Sequence, residues 1–371
     1  MRRPDAWSDP RRITRLQHRI AALAAQLPRP VTFMEVCGTH THAIAAAGLR
    51  RLLPDNVRLI SGPGCPVCVT PVDYLDHALA LARVPDVTIA TFGDLVRVPA
   101  SRRQSLELAA ADGADVRIVY SPRDALALAA AEPGRRVVFL AVGFETTMPT
   151  IAAALLEAEQ RGIPNFLVLA GGKLIEPPLR ALVHDDAVRV DGFLLPGHVS
   201  VILGSDAYRF LADECGVPGV VTGFTPVEVQ LGLCALVRQC GRGEAAIENR
   251  YARVVSAAGN RCAQQLVARF FAPADTRWRG LGAIPASGLV LRPEWAHRDA
   301  ARIAVEIPPP QEPKGCRCGE VLKGTIAPPE CPLFARGCVP EHAVGACMVS
   351  SEGTCAAWYR HERHARQAVH A

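Results

Sequence analysis

Aromatic side chains make up only 5% of the 371 residues. Proteins that bind single-stranded nucleic acid stack bases on such rings, so the composition disfavours that class. Charge of one sign is also scarce, because 41 basic and 36 acidic residues leave a net charge of +5 at pH 7. A bias this small, spread along the chain, predicts neither a nucleic-acid partner nor a membrane partner.

Long apolar runs are missing as well. A membrane helix needs about 18 or more consecutive apolar residues, and the sequence has no such stretch. The basic N-terminus is followed by an apolar run that Arg15, Gln17, His18 and Arg19 interrupt, whereas a secretory signal needs an uninterrupted run. We therefore expect a cytoplasmic protein, in which thiols stay free, bind metal or cycle between redox states.

Two common nucleotide-binding motifs are absent too. No Gly-x-Gly-x-x-Gly fingerprint follows a predicted strand, and Lys173 after Gly171-Gly172 lacks the spacing of a phosphate-binding loop. The chain is rich in hydrophobic residues, at 49%, which predicts a folded protein with a substantial core. It also has 13 cysteines, an odd number that indicates thiol or metal chemistry better than a set of disulfides.

Short β-branched runs alternate with helical stretches between residues 31 and 225. This alternation predicts an α/β fold with parallel sheets covered by helices. The predicted strands are Val31–Val36, Val57–Ile60, Val87–Thr91, Val116–Tyr120, Val137–Val142, Phe166–Leu169, Gly192–Leu195 and Gly219–Thr222. Eight strands could form one large sheet, but the charged segment Glu132–Arg136 suggests a boundary, so we favour two lobes.

Changes in composition divide the chain into five segments. They are an N-terminal helix (1–30), two α/β lobes (31–134 and 135–225), a helical segment without strands (226–271) and a small irregular C-terminal domain (272–371). The last 60 residues hold six of the 13 cysteines and cannot build much of a hydrophobic core. We therefore expect something other than packing to hold the C-terminal domain together.

Glycine-rich polar loops follow most of the predicted strands. They cover residues 35–42, 61–68, 91–99, 143–147, 196–200 and 223–226. In open α/β sheets the functional site lies at the carboxyl ends of the strands. We therefore expect these loops to converge on one cleft.

Cys65 and Cys68 have the spacing of a redox dithiol at a strand-to-helix turn. A helix N-terminus lowers the pKa of the first thiol of such a pair. The alternative is half of a four-cysteine zinc site, for which this lobe offers only Cys37, His40 and His42 as further ligands. We favour the redox dithiol.

Cys37 lies three residues before His40 in another of these loops. A thiol beside an imidazole can be held as a thiolate, as a nucleophile or as a ligand to a soft metal, although a buried structural cysteine is the simpler interpretation. Glu145, His198 and Asp94 are candidates for carrying protons or orienting ligands, and each is equally consistent with an ordinary loop residue.

Four C-terminal cysteines have the spacing C-x14-C-x6-C-x16-C. They are Cys316, Cys331, Cys338 and Cys355. Four thiolates in a loop-rich segment suit an iron–sulfur cluster or a tetrahedral zinc, and the absence of paired C-x2-C knuckles favours the cluster. Cys318 could replace Cys316, and Cys347 is a fifth candidate. The remaining cysteines are expected to be buried thiols without a role: Cys215, Cys234, Cys240 and Cys262.

The loop motifs together resemble the HypD family of [NiFe]-hydrogenase maturation proteins. They read FMEVCGTHTH (33–42), SGPGCPVCVTP (61–71), TFGDLVRVP (91–99), GFETT (143–147), LPGHVS (195–200), GFTPVEV (223–229) and CMVSSEGTC (347–355). The resemblance runs from about residue 31 to about residue 360.

The resemblance implies a scaffold on which the Fe(CN)2CO unit of the hydrogenase is assembled together with a small HypC-type chaperone. Cyanide would come from a HypE-type partner, and the hydrogenase large subunit would be an indirect partner. By position, Cys37 would hold the iron, Cys65 and Cys68 would be the redox dithiol, and the C-x14-C-x6-C-x16-C set would bind a [4Fe–4S] cluster.

On this interpretation electrons pass from the cluster to the dithiol and then to the iron unit, while His40 and His198 orient ligands or protons. The protein would be a redox-active scaffold rather than a conventional turnover enzyme. Two other functions stay open: an iron–sulfur dithiol oxidoreductase that acts on an external substrate, and a zinc-stabilised interaction protein.

Overall fold

A computed structural model gives the fold of residues 9–363. The remaining parts of two predicted segments, residues 1–8 of the N-terminal helix and residues 364–371 of the C-terminal domain, lie outside the described residues. Within these limits the chain alternates strands and helices up to residue 291. The strands are β1 (Val31–Glu35), β2 (Val57–Ser61), β3 (Val87–Thr91), β4 (Val116–Ile118), β5 (Arg136–Gly143), β6 (Phe166–Lys173), β7 (Gly192–Leu195), β8 (Gly219–Val221), β9 (Ile247–Asn249), β10 (Phe271–Trp278) and β11 (Gly282–Leu291).

The strands form two sheets. The first sheet has the order β2-β1-β7-β8-β9 and is parallel throughout. The second sheet has the order β10-β11-β6-β5-β3-β4; β3 to β6 are parallel, and the hairpin of β10 and β11 joins β6 in the antiparallel direction. Parallel sheets flanked by helices confirm the predicted α/β fold class.

Helices cover these sheets. They are α1 (Pro10–Ala24), α2 (Gly38–Ala46), α3 (Pro66–Val69), α4 (Val72–Ala82), α5 (Gly93–Val96), α6 (Leu106–Ala111), α7 (Pro122–Ala131), α8 (Met148–Gln160), α9 (Glu176–Val183), α10 (Gly197–Leu203), α11 (Arg209–Asp213), α12 (Pro226–Arg242), α13 (Arg261–Phe270), α14 (Cys318–Leu322) and α15 (Thr354–His361). Helices α1 and α12 pack together on the first sheet.

Strand β5 shows how both faces of the second sheet are buried. Val138 and Leu140 pack into one core with α4, whereas their neighbours Val137 and Phe139 pack into a second core with α7 and α8. Side chains alternate between the two faces of a strand, so a continuous apolar run is what a parallel strand covered on both sides requires.

Helix α7 begins with a capping box formed by Ser121 and Asp124. The Ser121 hydroxyl accepts a hydrogen bond from the Asp124 backbone N–H (3.3 Å), and the Asp124 carboxylate accepts one from the Ser121 N–H (2.9 Å). Pro122 occupies the first helical position, where its missing N–H costs no hydrogen bond.

The membership of the two sheets corrects the predicted division of the strands at residue 134. Strands β1 and β2 belong to the first sheet, β3 to β6 to the second, and β7 to β9 to the first again. The charged segment Glu132–Arg136 is a turn that returns the chain from α7 to β5, and β5 pairs with β3 in the same sheet. A charged turn thus marks the surface of the molecule, and the pairing of parallel strands is decided by distant contacts.

The segment 226–271 is not purely helical, which corrects a second expectation. It contains β9, a three-residue strand that pairs with β8 at the edge of the first sheet. A strand this short has too few residues to show an alternating pattern. The hairpin of β10 and β11 also extends the second sheet, although residues from about 272 were expected to be irregular.

Beyond β11 the described chain consists of short helices, turns and irregular segments. Its small core combines thiols with a few apolar side chains: Cys331, Phe334, Cys338, Val344, Met348 and Ala356. Helix α15 returns to the first sheet and packs against α2. The C-terminal cysteines are therefore brought next to the loops at the carboxyl ends of the strands.

Candidate functional site

The loops that follow β1 and β2 are joined by backbone hydrogen bonds. The Gly62 N–H donates to the Glu35 carbonyl (2.7 Å), and the Gly38 N–H donates to the Gly64 carbonyl (2.9 Å). We call residues 36–39 the Cys37 loop and residues 62–69 the dithiol loop. These hydrogen bonds confirm the predicted convergence of the two loops. Adjacent parallel strands end at the same edge of the sheet, so the loops that follow them lie side by side.

Gly64 is required by this contact. A Cβ atom at this position would lie 2.1 Å from the backbone nitrogen of Cys37, a distance that no real Cβ contact shows. Gly38 is equally constrained on its other side, where a Cβ would lie 2.5 Å from the Cβ of Glu352. The two glycines let the dithiol loop and the C-terminal segment approach the Cys37 loop from both sides.

Cys37 occupies the N-cap position of α2 and is buried. Burial raises the pKa of its thiol to about 12, although hydrogen bonds from the backbone of His40 and Thr39 act in the opposite direction. The free thiol is therefore protonated at neutral pH. It loses its proton on binding a metal, because the thiolate is the ligand.

Glu35 supports the Cys37 loop through hydrogen bonds to its carboxylate. One of its carboxylate oxygens accepts a hydrogen bond from the Cys37 N–H (3.3 Å), and the other accepts one from the Thr41 hydroxyl (2.6 Å). Arg50 lies 3.6 Å from the same carboxylate and also binds Ser61 and Glu362. Burial raises the pKa of Glu35 to about 7, and the charge of Arg50 opposes that rise.

Sequence reasoning missed this support. Glu35 is the only charged residue in the predicted strand Val31–Val36, and an acid at the buried end of a strand is the signal that could have identified it. The sequence around Arg50 does not indicate this role, because its partners Glu35, Ser61 and Glu362 come from three other parts of the chain.

Cys65 and Cys68 lie at disulfide-bonding distance in the dithiol loop. Their Cα atoms are 5.3 Å apart. Cys65 occupies the N-cap position of α3, and its sulfur accepts a hydrogen bond from the Cys68 N–H (3.3 Å). Only 3% of Cys65 and 0% of Cys68 is exposed, so the pair faces the interior of the protein.

His40 and His198 both pack against the Phe224 ring, with centroid distances of 4.7 and 4.1 Å. The Nε2 atom of His40 is 2.9 Å from the Gly223 carbonyl, whereas its Nδ1 has no hydrogen-bond partner among the described residues. Burial lowers the pKa of His40 to about 4 and lowers that of His198 as well. Both imidazoles are therefore neutral at neutral pH.

Glu145 comes from the second sheet, in the turn between β5 and α8. One carboxylate oxygen accepts a hydrogen bond from the Ile175 N–H (2.9 Å), and the other has no partner within residues 9–363. Burial raises the pKa of Glu145 to about 7. The buried Tyr208 hydroxyl interacts electrostatically with both Glu145 and Cys37. Asp94 lies in the first turn of α5, at the end of β3 in the second sheet.

The six C-terminal cysteines fall into two packed groups. Cys331 and Cys338 belong to the small C-terminal core, and Cys316 and Cys355 pack against it. Cys318 and Cys347 belong instead to the large core that contains Cys65 and Cys68. Cys316 and Cys355 also pack against this large core, so the two groups meet at these two thiols.

Four of these thiols form a continuous row. Cys316 contacts Cys318, the sulfurs of Cys318 and Cys347 are 2.9 Å apart, and Cys347 contacts Cys355. The turn Ala346–Met348 that carries Cys347 packs against α3. We call these four residues the thiol row; it connects the dithiol loop to the C-terminal core.

The donor set of the C-terminal core suits an iron–sulfur cluster. Within residues 9–363 no three His, Cys, Asp or Glu side chains converge in the way that a single metal ion needs. The thiolates of a [4Fe–4S] cluster bind separate iron atoms and need no common point. A Cβ at Gly345 would lie 2.6 Å from the Cys316 sulfur, so glycine leaves the space beside this thiol open.

The remaining cysteines differ in exposure. Cys234 is buried, and Cys215 and Cys240 are partly buried. Cys262 is exposed, which corrects the expectation that all four are buried thiols. It lies in α13, an amphipathic helix in which Phe270 is the fully buried residue. The sequence position of a single cysteine on such a helix does not by itself show whether the residue lies on the buried or the exposed face.

Comparison with known proteins covers nearly the whole chain. The HypD family model, described as "Hydrogenase formation hypA family", matches residues 11–362. The hydrogenase maturation factor HypD of Escherichia coli (strain K12) is 47% identical over 361 residues, which are 96% of each chain. That of Azotobacter vinelandii is 46% identical over 376 residues, covering 100% of this chain and 99% of the relative. Among the described helices none is long and apolar enough to span a membrane.

Proposed function

The chain belongs to the HypD family of hydrogenase maturation factors, and from this premise we propose that it is the scaffold on which the Fe(CN)2CO unit of a [NiFe]-hydrogenase is assembled. The observation that carries the proposal is the contact between the Cys37 loop and the dithiol loop. It places one buried thiol without a disulfide partner beside two thiols that can exchange electrons.

The iron unit is the cargo of this site. Low-spin iron with cyanide and carbonyl ligands is soft, and a cysteine thiolate suits it. Cys37 supplies the thiolate and releases its proton on loading. His40 and His198 are neutral and flank Phe224 nearby, so they orient ligands or protons without adding charge. A second thiol comes from the small HypC-type chaperone.

The dithiol supplies electrons to the cargo. Reduction of the Cys65–Cys68 bond consumes two electrons and two protons and gives two thiols, and its re-formation returns the two electrons. Glu145, with a pKa raised to about 7 by burial, is the group on the facing sheet that can hold a proton near neutral pH.

Four cysteines would hold a [4Fe–4S] cluster in the C-terminal core: Cys316, Cys331, Cys338 and Cys355. The cluster supplies electrons one at a time when it is bound. Cys318 and Cys347 belong to the large core that contains the dithiol, and we leave them out of the ligand set because the C-x14-C-x6-C-x16-C spacing that the resemblance implies for the cluster does not include them.

The alternative of a dithiol oxidoreductase with an external substrate is disfavoured by burial. Cys68 is fully buried and Cys65 is 3% exposed, so a protein disulfide cannot reach either sulfur. The partners that we propose are a HypC-type chaperone, a HypE-type cyanide donor and, indirectly, the hydrogenase large subunit. The cytoplasm is the compartment that we propose, since the chemistry needs free thiols.

Infrared spectroscopy tests the iron-holding role. The wild type, Cys37→Ala and Cys234→Ala are each purified anaerobically with the chaperone. Cys234 is a buried thiol that lies 3.9 Å from the Leu16 carbonyl, away from the site, and serves as the matched control. We expect Fe–CN and Fe–CO bands in the wild type and in Cys234→Ala and none in Cys37→Ala. Bands that persist in Cys37→Ala contradict the proposal.

The cluster is tested separately by its iron content. We expect about four iron atoms per chain and a brown colour in the wild type and in Cys262→Ala, and loss of both in Cys331→Ala. A colourless wild type with stoichiometric zinc would instead support a zinc-stabilised interaction protein.

A further inference from the structure

The turn between β10 and β11 inserts a buried arginine between the dithiol loop and the C-terminal thiols. The backbone N–H of Arg279 donates to the Val69 carbonyl (2.8 Å), and its Nε donates to the Thr70 carbonyl (2.8 Å). Its Nη2 donates to the Pro99 carbonyl (3.3 Å). Arg279 is therefore fixed against the end of the dithiol loop by neutral acceptors.

The other side of this turn touches the C-terminal region. Gly280 has a positive φ of 77°, and a Cβ there would lie 2.2 Å from the Cα of Gly319. Two glycine backbones are thus in direct contact, and Gly319 follows Cys318 in α14. This contact holds the Arg279 guanidinium at a cavity of about 300 Å³ whose wall includes the Cys316 and Cys318 thiols.

Arg279 has no counter-charge within residues 9–363. It is 3% exposed, its Nη1 has no hydrogen-bond partner among those residues, and it forms no ion pair with them. A guanidinium keeps its charge even when buried, and a buried charge without a partner is costly. Other buried arginines are paired, as Arg298 is with Glu159 and Arg50 is with Glu35.

Two cysteines line this cavity together with Arg279: Cys316 and Cys318. Asp73 and Glu312 also line the cavity, and Asp73 faces Arg277 (3.9 Å).

We infer that Arg279 is the counter-ion of the C-terminal thiols, its positive charge balancing the thiolates that would hold the cluster. It is a positioning and tuning residue rather than a catalytic one. The inference rests on the proposed function, because it requires the [4Fe–4S] cluster to be present. Reduction adds one electron to the cluster and breaks no bond, so a fixed positive charge beside a ligand favours the reduced form.

A redox titration of the anaerobic full-length protein, followed by electron paramagnetic resonance with dithionite as reductant, tests this role. The variants are Arg279→Gln, which keeps a polar side chain and removes the charge, and Arg279→Lys, which keeps the charge. Arg298→Gln is the matched control, since Arg298 is also 3% exposed and binds the carbonyls of Ile163 and Phe166.

We expect Arg279→Gln to lower the ratio of reduced to oxidised cluster at least tenfold at a fixed potential, which is about 59 mV for one electron. Arg279→Lys should recover most of this loss, and Arg298→Gln should match the wild type. Equal shifts in Arg279→Gln and Arg279→Lys, or no shift in a protein that carries the cluster, overturn the inference alone. A wild type without any cluster overturns both the inference and the proposed cofactor. If Arg279→Gln does not fold, the comparison of Arg279→Lys with the wild type decides. A ratio of reduced to oxidised cluster that falls tenfold in Arg279→Lys, despite the retained charge, contradicts a charge effect.

Discussion

Cys37 and Cys65 lie on loops that leave adjacent strands of one parallel sheet, whereas Cys331 and Cys338 lie outside both sheets, in a segment with isolated β-bridges such as that between Phe334 and Cys338. The first region is positioned by backbone hydrogen bonds and by glycines that permit contact between chains. In the second region thiols form much of the core. The comparison teaches that the sheet alone can hold the first region in place, while the second depends on what its thiols bind.

The largest loss of stability is expected from disrupting the contact between the Cys37 loop and the dithiol loop. Gly64→Ala places a Cβ 2.1 Å from the Cys37 nitrogen. Because the clash is between two backbone segments, no side chain can rotate away to relieve it. We expect a loss of more than about 3 kcal/mol in the free energy of unfolding, measured by urea denaturation. Gly134→Ala is the control, since nothing lies within 4 Å of its Cβ, and it should change stability by less than about 0.5 kcal/mol. Equal stability of the two variants would refute the role of this contact.

A pH effect on stability is expected from Glu145, which is buried in the turn between β5 and α8. Its pKa is raised from 4.5 to about 7, so the protonated acid is favoured in the folded state. Its contribution to stability is complete below pH 4.5 and is lost as the pH rises through 7. Glu145→Gln should remove this loss, so its stability relative to the wild type should rise by about 3 kcal/mol between pH 4.5 and pH 8. Parallel pH profiles of the two proteins, measured by urea denaturation, would contradict the assignment.

The link between the two regions can be weakened at one hydrogen bond. The Thr39 hydroxyl donates to the Glu352 carboxylate (2.5 Å) and thereby joins α2 to the segment before Cys355. Thr39→Val keeps the shape and removes the donor, so we expect a loss of about 1.5–2 kcal/mol. Thr150→Val is the control, because the Thr150 hydroxyl donates to the Thr147 carbonyl within one helix turn. If both variants lose the same free energy, Thr39 has no special role in joining the regions.

The smallest effect on global unfolding is expected from removal of iron. A chelator should leave the unfolding of the sheets within about 0.5 kcal/mol of the untreated protein. Cleavage by a protease within residues 311–345 should become about tenfold faster, because the C-terminal core loses its cross-links. Mass spectrometry of the first fragments measures the site of cleavage. Fragments that begin within β1 to β8 would show that the sheets also depend on iron.

Strands β1 to β8 were predictable because each is a compact apolar run, whereas β9, β10 and β11 were not predicted. The predicted Val57–Ile60 and the observed Val57–Ser61 differ by one residue, and Gly192–Leu195 agrees at both ends. Their distribution between two sheets was not predictable, since the pairing of parallel strands depends on contacts far apart in the sequence. The first sheet contains β1 and β7, which are separated by more than 150 residues.

The site was predictable where a residue type carries chemistry by itself. Cys37, His40, Cys65 and Cys68 could be named from their types and spacing, and the structure brings their loops together. Arg279 could not be identified as a supporting residue, because its importance lies in being a buried charge, and burial is a property of the tertiary fold. Glu35 had one signal, its position at the end of an otherwise uncharged predicted strand.

The contact of Glu352 with the Cys37 loop also dictates when the site can exist during synthesis. Thr39 and Glu352 are 313 residues apart, so the loop is made long before the segment that completes it. At translation rates of about 5–20 residues per second, the delay is roughly 15–60 s. During this interval the nascent chain presents Cys37 without the segment that covers it, and a chain that includes Glu352 is the first form that can close over a cargo.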